Sequence, residues 1–426
     1  MKIGLQTWGS EGDIRPFLAL AGGLSASGHK VSLVVTSVDS KDYSSYGREM
    51  DFTITHVGAL SYDEKTIRFL AEKTIKSRNP VKQLKTIIEY FFNPVISEMY
   101  EASEQLCASD DLVIGHFMHH PLQAAAEKSG KPYVTLTLNH AGIFSKHSIL
   151  VGVPNIGTWA NPFWWKLLRF IIEREFGPEV NKLRKKVHLP PAGNILDMIG
   201  RSQLNLVAVS AALCQHQPDW PDHHKVCGFF NLPKEAENWT MPEDLREFLN
   251  AGPPPVYITL GSMLSLDPSP DIITETLIQS VLIAGCRAII QSRWDELPDW
   301  PNHSTIFKIQ KVPHQHIFPH CCAVVHHGGA GTTHSATLHG CPSVVIEHFL
   351  DQPFFAYELR RLRIAPKVLH RRNITAKKLA RAIRDVLDAP DMKRRAEELG
   401  AFMQKENGVH KAVKMIEDSL VSPGLT

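Results

Sequence analysis

The sequence predicts an α/β protein with two doubly wound, parallel-stranded halves, and three observations carry that reading. The first is length. A chain of 426 residues exceeds what one hydrophobic core serves and fits two domains of about 200 residues each. The second is a strand–helix–strand pattern that opens at Lys2 and a second α/β pattern that starts after Pro253-Pro254-Pro255. The third is a short apolar run, Cys321-Cys322-Ala323-Val324-Val325, that enters a glycine-rich loop and then a helix.

Residues 2–8 read as an apolar strand and Gly9-Ser10-Glu11-Gly12-Asp13 as a loop. A helix is predicted to open near Arg15-Pro16, because proline suits the first turn, and to run to Gly28. Residues 29–36 form the next strand, which makes a βαβ unit and begins a parallel sheet. Further strands fit 112–115 and 133–138, separated by a helical stretch at 121–130, and 204–210 is another candidate. Asn231, Pro233, Lys234 and Glu235 interrupt the pattern. The expected division is therefore an N-terminal domain 1–232, a linker 233–238 and a C-terminal domain 239–405. A C-terminal helix over 406–426 is expected to cross back onto the first half. In the second half, a helix is predicted over 239–250 and strands over 256–260, 287–291, 323–326 and 343–347. Helices follow over 375–387 and, as one piece, 392–415. Ligands in such sheets sit beyond the carboxyl ends of the strands, so a cleft between the halves is the expected site.

Composition narrows the class. Hydrophobic residues make up 43% and charged residues 21%, ordinary for a globular protein, and a formal net charge of +2 provides no field to draw nucleic acid. The seven cysteines form no Cys-x-x-Cys pair and are odd in number, which points away from a disulfide framework and toward a reducing cytoplasm. Met1-Lys2-Ile3-Gly4 leads straight into a strand, and no run of 18 apolar residues occurs. Neither a leader nor a membrane span is expected.

The segment His326-His327-Gly328-Gly329-Ala330-Gly331-Thr332-Thr333 is the richest in chemistry. Glycines let backbone N–H groups approach oxygen atoms, and a helix N-terminus favours negative charge. Two histidines add donors for a leaving diphosphate. A phosphate-bearing ligand, most simply a nucleotide, is the expected occupant. The spacing is neither Gly-x-x-x-x-Gly-Lys-Ser/Thr nor Gly-x-Gly-x-x-Gly, which excludes the common ATPase, GTPase and dinucleotide-dehydrogenase loops.

At these residues the chain resembles the nucleotide-sugar-dependent glycosyltransferases of the GT-B fold, with two facing Rossmann-like domains and the active site in the cleft between them. Within that superfamily it is most similar to the branch of sterol glucosyltransferases, vancomycin-type antibiotic glycosyltransferases and rhamnosyltransferases. The resemblance covers nearly the whole chain and is strongest at 9–16, 257–263 and 311–365. It implies a UDP- or dTDP-sugar co-substrate, no cofactor, no metal and inversion at the anomeric carbon. Gly261-Ser262 resembles the loop that meets the diphosphate, and Val312-Pro313-His314 the segment whose backbone reads the nucleobase, or else an ordinary turn. His326 matches the diphosphate histidine, with His327 its neighbour. Gly329, Ala330, Gly331, Thr332 and Thr333 supply backbone and hydroxyl donors. Asp351-Gln352 matches the acid–amide pair on the sugar hydroxyls, and Asp351 is equally a good helix cap. The plant members carry a glutamate eight residues after the phosphate histidine to hold the ribose; here that position is His334, which leaves UDP and dTDP both open.

Transfer to a hydroxyl needs a base on the acceptor side. The first loop offers Ser10, Glu11 and Asp13 but no histidine. Asp13 occupies the Gly-Asp position of the resembled branch and is the expected base, with Ser10 its helper; a plain cap on the following helix is the structural alternative. His116, His119 and His120 follow the strand at 112–115. They are placed to line an acceptor pocket or stand behind Asp13, or are simply satisfied polar residues at a strand end. No Asp-x-Asp motif is present to hold a divalent ion. The stretch Asn161-Pro162-Phe163-Trp164-Trp165-Lys166-Leu167-Leu168-Arg169-Phe170 is aromatic, with basic interruptions. Three readings stand for it: a wall for an apolar acceptor such as a sterol, lipid or aglycone, contributed by Phe163 and Trp164; a helix lying at a membrane surface; or a core helix. The expected function is an inverting hexosyl or deoxyhexosyl transfer. The alternatives are a non-catalytic nucleotide-sugar-binding subunit, or an epimerase or phosphorylase on the same architecture. The oligomeric state is not encoded in any motif.

Overall fold

The structure is a computed structural model. It describes residues 1–421 other than 61, 78, 149, 154–155, 199–200, 233–238, 265–266, 268, 295–299, 302, 311 and 349–350. The expected linker, 233–238, thus lies outside the described residues.

Two parallel sheets organise the chain. The first has seven strands: β1 (Lys2–Gly9), β2 (Lys30–Ser37), β3 (Thr53–His56), β4 (Leu112–His116), β5 (Tyr133–Thr137), β6 (Leu204–Val207) and β7 (His224–Val226). They lie in the order β3-β2-β1-β4-β5-β6-β7. The second has six: β8 (Val256–Thr259), β9 (Ala288–Gln291), β10 (Ile306–Ile309), β11 (Ala323–His326), β12 (Ser343–Glu347) and β13 (Leu369–His370). Their order is β10-β9-β8-β11-β12-β13. Both orders step outward one way from the first strand and then restart on its other side, which is the Rossmann-like arrangement. Each sheet therefore has a switch point, between β1 and β4 in the first and between β8 and β11 in the second. The chain is an α/β protein with two Rossmann-like sheets.

β1 is buried along nearly its whole length because helices cover both faces of a central parallel strand. Its core partners include Ile14, Phe17, Leu18 and Leu20 from the helix Glu11–Ala26, and Ala412, Val413 and Ile416 from the helix Gly408–Val421. The chain divides into two compact units. One comprises Met1–Ser61, Leu84–Leu232 and Glu406–Thr426, the other Tyr62–Gln83 and Pro233–Lys405.

Several boundaries differ from those read off the sequence. The first helix opens at Glu11 with Ser10 as its N-cap, not at Arg15, so Pro16 sits inside it. The reason is local: Ser10 and Asp13 close a capping box, which starts the helix one turn early. The helix expected over 239–250 begins only at Glu243, after Pro242, with Glu243 and Asp244 favouring its positive end. The single helix expected over 392–415 is two, Pro390–Met403 and Gly408–Val421. The break falls where Glu406 turns away to accept the Ala211 N–H at 2.9 Å, a partner almost 200 residues distant that no local pattern announces. Among the described residues, no helix is long and apolar enough to cross a membrane.

Candidate active site

The first switch point gathers Gly9, Ser10, Asp13 and His116. Gly9 ends β1 and His116 ends β4, the strand paired with β1. Asp13 is the third residue of the first helix. Its Oδ2 accepts the Ser10 N–H at 2.9 Å and the Ser10 hydroxyl at 3.1 Å, so one carboxylate oxygen is fully committed to the cap. The capping alternative and the base reading thus share the same side chain through different oxygens. Oδ1 faces His116 Nε2 at 3.7 Å. About a third of the side-chain surface, 36%, stays open. Burial among low-dielectric walls raises the Asp13 pKa above the ordinary carboxylate value, and the Ser10 hydrogen bonds oppose that rise. A base with raised proton affinity is better matched to neutral pH than an ordinary aspartate.

Gly9 has φ +138°, and a Cβ there would stand 2.3 Å from Asp13 Oδ2. Only glycine fits. On the reading of Asp13 as base, Gly9→Ala is expected to push the carboxylate out of place and to cost about 10²-fold in turnover, as misplacement of a reacting group by an ångström does. Comparison of kcat with the melting temperature of the variant checks this, since a folded but slow enzyme is the expected outcome.

His119 and His120 do not join Asp13 among the described contacts. His119 Nδ1 caps the helix His120–Ser129 by accepting the Leu122 N–H at 3.2 Å. Both rings pack against Phe92. Phe163 and Trp164 sit on the long helix Asn161–Lys186, edge to face with each other at 5.1 Å, and no described contact ties them to Asp13. Phe163, Leu167 and Phe170 are 63%, 40% and 64% exposed, so this face of the helix is not core. Trp165 is the residue that turns inward, onto Phe144.

The second switch point gathers the glycine-rich loop. β11 ends at His326, in register with Thr259 of β8, and Gly261 follows β8 in a single turn. Gly261 has φ +55°, and a Cβ on it would lie 2.8 Å from His327 Cε1. A Cβ on Gly329 would lie 2.4 Å from His327 Nε2. The His327 ring is therefore slotted between the two loops. His326 is wholly buried, and its Nδ1 accepts the Gly328 N–H at 3.0 Å. That fixes its proton on Nε2, a donor with no partner among the described residues. Gly329 caps the helix Ala330–Leu338, whose first-turn N–H groups at Ala330, Gly331 and Thr332 lack intrahelical acceptors. The Thr333 N–H bonds back to Gly329, while its buried hydroxyl has no partner among the described residues. The expectation for the Ser262 side chain lies outside what the structure describes.

Asp351 and Gln352 stand at the start of the helix Gln352–Arg361, beyond β12, with Asp351 as N-cap residue. Gln352 is pinned, because its Oε1 accepts the His348 N–H at 2.7 Å. Val312 is buried in the core, ahead of the short helix His314–Ile317. His334 is fully buried, donates to the Ala330 carbonyl at 2.7 Å and meets Phe355 edge to face. Nothing at that position plays a ribose-holding carboxylate. Among the described residues, no group of three or more His, Cys, Asp or Glu is arranged to hold a metal ion.

Sequence reasoning missed His348 and the ion pair Arg371–Asp267. Burial pushes the His348 pKa down to about 4, and it lies within electrostatic reach of His327 and of Arg371. Arg371 grips Asp267 through two hydrogen bonds of 2.6 and 2.8 Å. The partners are 104 residues apart, beyond any local pattern.

Burial also holds His116, His119, His120 and His326 near pKa 3, and His334 near 4. These imidazoles are neutral in the folded chain at neutral pH. In the unfolded chain they bind protons below about pH 6.5. Between that pH and about 3 the unfolded state holds more protons, so stability falls as pH falls. Each such group removes up to about 1.4 kcal/mol per pH unit, and the melting temperature is expected to drop steeply from pH 6.5 to 4.5. A flat profile over that range would show that these rings titrate freely.

Two Rossmann-like sheets, with an anion-ready loop at the switch point of one and a recessed carboxylate at the switch point of the other, share their fold with solved GT-B glycosyltransferases. Residues 281–417 match the family model described as Erythromycin biosynthesis protein CIII-like, C-terminal domain. The chain is 28% identical over 445 residues to a sterol 3-beta-glucosyltransferase of Komagataella phaffii, covering 97% of this chain and 34% of that protein. It is also 28% identical over 427 residues to O-mycaminosyltylonolide 6-deoxyallosyltransferase of Streptomyces fradiae, covering 98% of this chain and 97% of that one. The chain thus spans about a third of the sterol enzyme and nearly all of the bacterial one. The solved structure of glycosyltransferase VinC in complex with dTDP shares the fold, with TM-score 0.65, 18% identity and 98% and 99% of the two chains covered. Its homologues are named glycosyltransferases.

Proposed function

We propose that this protein transfers a hexose or deoxyhexose from a UDP- or dTDP-sugar to a hydroxyl of an apolar acceptor, a sterol, lipid or natural-product aglycone, with inversion at the anomeric carbon. The observation that carries the reading is the pairing of chemistries. One switch point presents a carboxylate of raised proton affinity, the other a buried imidazole N–H donor beside open helix N–H groups. Asp13 takes the proton from the acceptor oxygen as that oxygen attacks the anomeric carbon. Ser10 holds the second carboxylate oxygen. The bond to the diphosphate breaks, and its growing negative charge is met by neutral donors: His326 Nε2–H, the first-turn amides of Ala330, Gly331 and Thr332, and the Thr333 hydroxyl. Asp351 and the pinned Gln352 are assigned to the sugar hydroxyls, and the backbone at Val312 to the base. Phe163 and Trp164 are offered to the acceptor.

The names of the relatives favour two acceptor classes, sterols and macrolides. The test is incubation with UDP-glucose and a series of dTDP-deoxysugars against sterols and macrolactones, with products read by mass and anomeric configuration by NMR. A β-glycoside from an α-linked donor is the expected product. Donor binding without product from any acceptor favours the non-catalytic subunit, and an altered sugar still attached to nucleotide favours an epimerase.

A further inference from the structure

We propose that His116 is a positioning residue for the Asp13 carboxylate, presenting a fixed Nε2–H to it, rather than serving as the base or as a wall of the acceptor site. The inference rests on the reading of Asp13 as base and deepens it.

Four observations support it. His116 closes β4, and through the β1–β4 pairing its ring is delivered to the turn that follows β1. The ring is immobilised between Phe17, at 6.2 Å, and Phe117, at 4.5 Å. Its Nδ1 accepts the Met118 N–H at 3.3 Å, which leaves the proton on Nε2. Nε2 is buried and makes no hydrogen bond among the described residues; Asp13 Oδ1 lies 3.7 Å away, just beyond hydrogen-bond distance, so a small approach completes the contact. An imidazole in this tautomer has no lone pair facing the carboxylate and cannot accept the acceptor's proton there. It can only donate.

The two carboxylate oxygens are thereby differentiated. Oδ2 is saturated by Ser10, and Oδ1 is the oxygen left for a substrate proton, aligned from behind by His116. A donor favours the charged carboxylate, so His116 works against the burial that raises the Asp13 pKa. The other titratable groups around the pair are few. Glu11, on the same helix, is neutralised by Arg15 and by Lys41, both at 3.3 Å. His119 lies within electrostatic reach of His116, and both His119 and His120 are kept neutral by burial, each near pKa 3. None supplies a charge that substitutes for the His116 donor.

The test compares wild type, His116→Phe, which removes the donor and keeps the apolar packing, and His116→Gln, which returns an N–H near the Nε2 position. Two readouts are taken on the full chain. One is the Asp13 carboxyl titration by ¹³C NMR of aspartate-labelled protein, assigned by the signal missing in Asp13→Asn. The other is the pH profile of kcat and KM on an acceptor that the wild type glycosylates. Loss of a donor to the anion should raise the Asp13 midpoint by about one unit, a tenfold gain in proton affinity, and move the acidic limb of the kcat profile up by the same amount. Acceptor KM should stay within twofold, and His116→Gln should return both readouts toward wild type. An unmoved Asp13 midpoint in His116→Phe, in a variant that melts like wild type, overturns the proposal. A raised acceptor KM with that midpoint unmoved overturns it too, in favour of an acceptor-lining role. If the midpoint shifts but Asp13→Asn still turns over normally, the pairing stands and the assignment of Asp13 as base falls.

Discussion

Asp13→Asn is expected to lower transfer by about 10³-fold, within the range of 10²–10⁴ that a general base contributes, while donor affinity changes less than twofold. The substitution is close to isosteric. An asparagine oxygen can still accept the Ser10 N–H that Asp13 accepts at 2.9 Å, so the helix cap and the fold are preserved. What is lost is the second oxygen's ability to take a proton. The amide is also indifferent to pH, so the residual activity should lose the acidic limb that a carboxylate of raised pKa creates in the wild type. Steady-state kinetics from pH 5 to 9, with donor affinity measured separately by calorimetry, separates the two effects. Asp13→Ala would confuse them, because it removes the capping box as well.

His326→Ala is expected to reduce kcat by about 10²-fold or more and to weaken donor binding about tenfold. Loss of a single donor to a developing oxyanion costs 10²–10³ in comparable sites. Two features make this residue the sensitive one. Its Nδ1 is committed to the Gly328 N–H, so the ring both shapes the loop and holds its remaining proton on Nε2. Its burial, with pKa near 3, keeps it neutral throughout the working range, so donor affinity should be flat from pH 5 to 8 rather than rising as an imidazolium forms. Binding that strengthens below pH 6.5 would mean a charged histidine on the diphosphate. Unchanged kinetics in His326→Ala would transfer the role to His327, whose ring lies between Gly261 and Gly329.

Much of this was legible in the sequence, for physical reasons that can be named. β1, β8 and β11 are buried on both faces and so read as continuous apolar runs, and a glycine-rich turn after such a strand has few other uses. The glycine-rich loop was legible as a unit because strand, loop and helix are contiguous. The start of the first helix was misplaced because Pro16 is a strong local signal for a first turn. The capping box outweighs it, and Pro16 then sits inside the helix, where it forgoes the N–H bond to the Gly12 carbonyl. The role of Gly9 depends on a φ of +138° and on a carboxylate 2.3 Å from an imagined Cβ, neither of which a one-dimensional pattern contains. His116 is more than a hundred residues from Asp13 in sequence; only the pairing of β4 with β1 brings them together. Arg371 and Asp267 are hidden for the same reason.

The measurement that tests the central claim most directly needs no acceptor. The thermal midpoint is followed as UDP, dTDP and, as a control, the free nucleosides are titrated into wild type, His326→Ala and Gly261→Ala. A nucleoside diphosphate that binds the folded chain should stabilise the wild type by about 2.7 kcal/mol at a hundred times its Kd. The nucleosides should stabilise it much less. The shift should shrink in both variants, since one loses the Nε2–H donor and the other drives a methyl group to 2.8 Å from the His327 ring. A wild type that shows no shift with either diphosphate, or the same shift in all three proteins, would contradict the assignment of the glycine-rich loop as a sugar-nucleotide diphosphate site.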